Sequence, residues 1–450
     1  MIAQILNQDF LLAAAEHSRL QLKDHLQRLE RREAVEAGPL SNLKAEEIGE
    51  VVDELDQAIR EHEDDAEGGI DASAWMPRTP ILAILQTELT RVVAEQHAEM
   101  IESDPDGPAQ ERLADDGEKD SDGRRALGRY EVTRPKILSD PHWLFAGVVI
   151  AWHKFKEKAP FGGLPEQAVS IAPNARILLV GDWGSGLPRA QAVAREIRKV
   201  LDAGISDGIE QHVVHLGDVY YTGAKHEYEQ SFLRHWPVSE GEDVGSYTLC
   251  GNHDMYRGGH HYYKTALADP RFARQAGKSV FALRSPAWQL LGLDTAYVDQ
   301  RLHGGQSAWI GAMLAAAPDT RTALLSHHQL FSAHEDAGEK LRGDIQEVLA
   351  GGRIDSWFWA HEHRCIVYEP RDELPFASCV GHGGIPEYLV AREGQPYPPG
   401  VRYEYRAKHG NGIEPWGTFG FAVLDLDGPT MRIRYIDENG GLPHHEEVIR

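Results

Sequence analysis

Apolar positions in the first third of the chain recur at helical spacing. Leu22, Leu26 and Leu29 form one such series, and Ile48, Val51, Val52, Leu55 and Ile59 form another. A third helix is expected from Thr79-Pro80, where proline suits a first turn, with Ile84, Leu85, Leu89, Val92 and Val93 behind it. Between Asp104 and Asp122 the pattern lapses into an Asp/Gly-rich stretch that reads as a solvated loop or linker. From about Ile171 the texture changes to short β-rich runs alternating with helical segments, the signature of an α/β layer architecture. Near the C-terminus, 418–426 and 431–435 read as two strands of a hairpin turning across Asp427-Gly428. The expected organisation is a mainly helical region over 1–170, of unassigned role, followed by an α/β domain over 171–450.

Within that domain one arrangement repeats. Five apolar runs of strand length each stop at a side chain able to bind a metal. Ile177–Val180 precedes Gly181-Asp182, Val213–Leu216 precedes Gly217-Asp218, and Tyr247–Cys250 precedes Gly251-Asn252-His253-Asp254. Ala323–Leu325 leads into Ser326-His327-His328, and Trp357–Ala360 into His361-Glu362-His363. In open α/β sheets, ligands sit in the crevice beyond the carboxyl ends of the strands, so five such ends can converge on one point. Glycine before three of these residues permits a sharp turn and close backbone approach. A single Gly-Asp after a strand is usually only a turn. Five in succession, always at the same structural position, point to a metal centre.

Charge sharpens this picture. The chain has 450 residues, with 46 Lys and Arg against 70 Asp and Glu, a formal net charge of -24. No basic surface is available to track a nucleic-acid backbone or to hold an anionic membrane. A phosphorylated substrate would also be repelled, unless metal ions supply local positive charge. The three cysteines, Cys250, Cys365 and Cys379, match neither a zinc-site spacing nor a disulfide framework. With no secretion signal evident and no apolar stretch of membrane-spanning length, a cytoplasmic protein is expected.

The blocks Gly-Asp-Trp-Gly (181–184), Gly-Asp-Val-Tyr-Tyr (217–221), Gly-Asn-His-Asp (251–254), Leu-Ser-His-His (325–328) and Ala-His-Glu-His (360–363) resemble the five-block signature of the calcineurin-like metallophosphoesterases. Within that superfamily they are most similar to the purple acid phosphatases. The resemblance covers about Ile171 to the C-terminus. It implies two stacked mixed β-sheets flanked by helices, to which this chain adds its N-terminal helical region. Most of the superfamily carries a histidine at the third position of the first block, where this chain has Gly184. Purple acid phosphatases fill that gap with a tyrosine three residues after the second aspartate, which is Tyr221 here, with Tyr220 as the competing candidate.

By that resemblance, one metal takes Asp182, Asp218, Tyr221 and His363, and the other takes Asn252, His327 and His361, with Asp218 as the bridge. A hard, oxygen-rich first site suits iron(III), and the nitrogen-richer second suits zinc, manganese or iron(II). The implied reaction is in-line attack of a metal-activated water on a phosphomonoester or phosphodiester. His253 is the candidate acid for the leaving alkoxide, oriented by Asp254. His361 and His363 are expected to alternate along an extended segment, both imidazoles on one face. His328 and His334 are candidates for the substrate pocket, His260 and His261 are open between pocket and surface, and His382 is expected behind the ligands. Two other readings stand beside this one: a metal-free scaffold whose N-terminal helices bind a protein partner, and a nuclease, which the charge disfavours.

Overall fold

The computed structural model describes residues 8–31, 43–65, 77, 79–90, 148–152, 155–335, 337–371, 373–387, 389, 394–409 and 416–450. The chain divides into two compact units, one of Met1–Lys158 with Tyr256–Gly258 and one of Ala159–Met255 with Gly259–Arg450.

In the first unit, helices Gln8–Glu30 and Ala45–Asp65 pair through the apolar positions that the sequence pattern marks. Leu11, Leu22, Val51 and Leu55 are buried in its core, with helical segments over 80–90 and 148–152 contributing Leu82, Leu85 and Val149. Arg19 and Lys23 both reach Asp56, at 2.9 and 2.7 Å, joining the two helices at a polar edge. Val92, Val93 and the acidic stretch 104–122 lie outside the described residues. No helix among the described residues is long and apolar enough to cross a membrane.

The second unit is built on two mixed β-sheets flanked by helices. In the six-stranded sheet, Arg176–Val180, Gln211–His215 and Gly245–Thr248 run parallel. The C-terminal hairpin Gly420–Asp427/Thr430–Asp437 adds antiparallel to the first of these, turning with Asp427 opposite Thr430. The eight-stranded sheet holds a parallel run of Trp288–Gly292, Arg321–Leu325, Ser356–Trp359 and Phe376–Val380. Alternate residues divide between the faces, as strand geometry requires. Ile177, Leu179, Val214 and Leu216 meet Leu290, Ala323, Leu325 and Phe358 in one core between the sheets. Leu291, Leu324, Trp357 and Trp359 point the other way, onto Trp309, Ile310, Leu341 and Ile345 of helices Gln306–Ala316 and Glu339–Ala350. Each buried aliphatic side chain contributes roughly 1.5–3 kcal/mol. A slip of one residue would turn every one to the wrong face, so this core fixes the register that brings the strand ends to a common rim.

Candidate metal centre

All five blocks leave their strands at that rim, and the backbone turns sharply as it leaves. Of the six non-glycine residues with positive φ among the described residues, four are Asp182 (53°), Asp218 (74°), His361 (68°) and His363 (51°). Such a conformation is uncommon for residues with a Cβ and persists only when the surroundings over-determine it. Here they do. Asp182 N–H donates to the Gly217 carbonyl at 3.0 Å, and His361 N–H donates to Asp182 Oδ2 at 2.7 Å. A Cβ on Gly251 would stand 2.0 Å from Asp218 Oδ1, so only glycine lets these two turns approach. The segment 361–363 is a turn, which corrects the expectation of an extended strand with both imidazoles on one face. Its middle residue, the buried Glu362, accepts hydrogen bonds from Trp359 Nε1 (2.7 Å), Tyr368 Oη (3.1 Å) and the Ser332 hydroxyl. That anchor leaves His361 and His363 facing different groups.

The first group gathers around a phenol. Tyr220 Oη lies 2.8 Å from Asp182 Oδ1, 3.0 Å from Asp218 Oδ2 and 3.0 Å from His363 Nε2. Spacing favours Tyr221 here, whereas the phenol that lies among these donors is that of Tyr220. The room comes from the first block, since a Cβ on Gly184 would sit 2.7 Å from Val219 Cγ2. The Gly184 carbonyl accepts the Tyr220 N–H at 3.1 Å, and the phenol extends to Asp182, Asp218 and His363. Glu387, a residue with no motif around it, stands 3.9 Å from the outer nitrogen of His363.

The second group centres on His327. Its Nδ1 donates to the Leu216 carbonyl at 3.1 Å, which leaves Nε2 with a lone pair. Nε2 lies 3.0 Å from Asn252 Oδ1, 3.2 Å from His361 Nδ1 and 3.4 Å from Asp218 Oδ2. Asp218 therefore borders both groups. Asp182, Asp218 and His327 are fully buried, whereas Asn252, His361 and His363 are half-buried and form the mouth.

The third block departs from a further expectation. Asp254 does not hold the imidazole of His253. Its carboxylate accepts the backbone N–H groups of Asp218 (2.9 Å), Val219 (3.3 Å) and Gly251 (2.7 Å), together with the Tyr228 hydroxyl. Asp254 thus ties the second and third strand ends together. His253 Nδ1 donates to the Tyr221 carbonyl at 2.7 Å, and its ring packs 4.5 Å from that of Tyr220.

The remaining histidines separate. His328 is fully buried against His327 and His361, so it does not line an open pocket. His334 pairs with Glu404, at 3.1 Å. His261 faces Thr265 at 3.4 Å. His382 is buried with neither ring nitrogen hydrogen-bonded, and burial pushes its pKa down to about 3. It borders a small recess with His363, Arg364 and Glu387.

Without a cation, the electrostatics of this cluster conflict. Burial, then the charge of Asp218, pushes Asp182 well above the usual carboxylate range. Burial acts to raise Asp218 too, but His327 and His253 outweigh it and hold that carboxyl well below its ordinary value. Burial and the two carboxylates drive the Tyr220 phenol upward. Burial, then His328 and His327, drives His361 well down, so its imidazole is neutral and free to donate a lone pair. Two buried carboxylates, a phenol and neutral imidazoles are costly together and become a matched donor set around cations. Asp182, Asp218 and His327 offer ligand atoms all within 4.8 Å of one another.

The family model for calcineurin-like phosphoesterases matches residues 175–365, a span that contains all five blocks. No curated protein matches the chain in sequence. Similar solved structures include GAP50, the anchor in the inner membrane complex of Plasmodium, at 11% identity and a TM-score of 0.47, covering 61% of this chain and 88% of that one. Purple acid phosphatase PPD1 from seeds of yellow lupin (Lupinus luteus) is similar at 18% identity and a TM-score of 0.43, covering 63% of this chain and 54% of that one. Residues 175–365, with their five strand-end blocks, are thus similar to the calcineurin-like phosphoesterases.

Proposed function

We propose that this protein is a dinuclear-metal phosphoester hydrolase of the purple acid phosphatase type, acting on a phosphomonoester or phosphodiester. Asp182, Asp218, Tyr220 and His363 would hold the first metal, best suited to iron(III). Asn252, His327 and His361 would hold the second, zinc, manganese or iron(II), with Asp218 shared. The observation that carries this reading is the place of Asp218 Oδ2, 3.0 Å from the Tyr220 phenol on one side and 3.4 Å from His327 Nε2 on the other. When bound, such a pair of cations polarises phosphoryl oxygens and provides hydroxide at neutral pH.

The chain's own residues do the rest. Asn252 contributes a neutral oxygen, so the second position keeps its positive charge for an anionic substrate. His253, with Nδ1–H fixed on the Tyr221 carbonyl, has Nε2 as the nitrogen that protonates the departing alkoxide. Asp254 keeps the second and third strand ends in register through its three amide bonds. The three cysteines are free and buried, in keeping with the cytoplasmic setting that forms part of this proposal.

A panel of chromogenic mono- and diesters, assayed with chelator and with added iron, zinc or manganese, tests the reading. Wild-type protein is expected to turn over at least one ester class in a metal-dependent way, and Asp218→Ala is expected to lose that activity by a factor of about 10³ or more. Undiminished hydrolysis by Asp218→Ala contradicts it. Absence of stoichiometric metal together with absence of hydrolysis favours the partner-binding scaffold instead.

A further inference from the structure

The geometry points to His328 as a third imidazole ligand at the second metal position, giving that position a nitrogen-rich donor set that favours zinc. This inference rests on the two-metal reading above and adds a ligand to it. In a strand, neighbours such as His327 and His328 would point to opposite faces. The strand ends at Leu325, however, and the chain beyond it bends. Both rings therefore turn toward His361. The three ring centroids form a triangle, 4.8 Å from His327 to His328, 4.7 Å from His328 to His361 and 5.1 Å from His327 to His361. Each ring offers one nitrogen, and all three nitrogens lie within 4.8 Å of one another. Two nitrogens bound to one zinc at about 2.0–2.1 Å stand roughly 3.3–3.5 Å apart. The His327–His361 pair is at 3.2 Å, so a small closing movement of His328 completes the set.

Its surroundings hold the ring for that task. Thr295 Oγ1 accepts the backbone N–H of His328 at 3.1 Å and lies 3.1 Å from its Nδ1. With Nδ1–H donated to that oxygen, Nε2 is the nitrogen left to act as a ligand, and it is buried with no hydrogen-bond partner. A hydrogen-bond acceptor behind a histidine, fixing its tautomer, is the usual support of a metal ligand, and here the Thr295 hydroxyl fills that place. The rival explanation is a plain ion pair, since Asp299 Oδ1 stands 3.4 Å from the same nitrogen, on a side chain that is 63% exposed. At 3.4 Å that contact is longer than a charge-assisted hydrogen bond and does not occupy the nitrogen. Three imidazoles with Asn252 and Asp218 make an environment that suits zinc better than the oxygen-preferring manganese or magnesium.

The test uses the full chain, stripped of metal and reloaded with zinc or manganese, with affinity read by chelator competition and content by elemental analysis. His328→Gln is expected to weaken zinc at one of the two positions at least 10-fold and to narrow the zinc-over-manganese preference, leaving the other equivalent unchanged. Thr295→Val, which keeps the imidazole but removes its support, is expected to weaken zinc by a smaller factor. Asp299→Asn is expected to leave zinc affinity within two-fold. Zinc affinity and preference within two-fold of wild type in His328→Gln overturns the inference; if that variant does not fold by circular dichroism, the same limit applied to Thr295→Val decides it. His361→Gln separates the two levels. If it still holds two equivalents, the two-metal reading itself fails; if it loses one while His328→Gln does not, only the third ligand fails.

Discussion

At the scale of single residues, adjacent side chains in this site have different work, and the differences can be measured. Tyr220 and Tyr221 are neighbours, yet the phenol among Asp182, Asp218 and His363 is that of Tyr220. Tyr220→Phe is therefore expected to abolish the visible phenolate-to-iron absorption of the iron-loaded protein, and Tyr221→Phe to retain it. The opposite pattern would restore the assignment that sequence spacing favours. His253 and Asp254 divide in the same way. His253→Ala removes the proton donor and one hydrogen bond, to the Tyr221 carbonyl, so kcat is expected to fall by about 10²–10⁴ with metal content kept and only a small loss in melting temperature. Asp254→Ala orphans the buried amides of Asp218, Val219 and Gly251, at about 1–3 kcal/mol each when unsatisfied. Its expected signature is a lowered melting temperature with lost metal. A melting defect in the first variant and a purely kinetic one in the second would exchange the two roles.

At the scale of elements, the strands were legible in the sequence and the turns after them were not. Ile177–Val180 and Ala323–Leu325 are continuous apolar runs because both faces of a parallel strand are buried, and the structure has strands at Arg176–Val180 and Arg321–Leu325. The C-terminal hairpin was legible from Asp427-Gly428, with Gly428 at φ 56°. Nothing local predicts positive φ at Asp182 or His361, because contacts from other strand ends impose it. The same is true of Glu362, whose partners lie 3, 6 and 30 residues away along the chain. Another such device is Glu404, at the end of Val401–Glu404, a strand beside Cys365–Tyr368. It pairs with Arg364, the residue after His363, at 3.0 Å, and with Arg406 at 2.7 Å and His334 at 3.1 Å. Burial acts to raise its pKa, but the His334 and Arg406 hydrogen bonds prevail and bring it down to about 2. A carboxyl depressed on folding stabilises the protein above its unfolded value of about 4.5, and that contribution is lost as pH falls toward 2. Glu404→Gln should cost about 1.5–3 kcal/mol at pH 7 in urea unfolding, with the gap to wild type closing below pH 4.5. A gap that does not change with pH would mean that packing, not charge, gives Glu404 its value.

At the scale of the whole molecule, the question is how a chain with a formal charge of -24 sustains a site for an anionic substrate. The centre is itself rich in buried acid, so under the two-metal proposal its stability and its sign both depend on cations. Asp182 and Asp218 each border Tyr220, and the charge of Asp218 helps to keep Asp182 from ionising. A cation that binds only the folded chain stabilises it by about 2.7 kcal/mol at 100 times its dissociation constant. Chelation should therefore lower the melting temperature of the wild-type protein, and graded addition of zinc or iron should restore it in a concentration-dependent way. Asp218→Asn separates this linkage from simple loss of a side chain, because it keeps the shape and the carbonyl acceptor while removing the charge. Its metal-free form loses the stabilisation of a carboxyl held well below its ordinary value, so it should melt below the metal-free wild type, and added metal should barely move it. Scanning calorimetry of the two proteins, with and without chelator, reads all four states. A metal-induced rise in the melting of Asp218→Asn as large as that of the wild type would show that this carboxylate is kept for its hydrogen bonds and not for a cation.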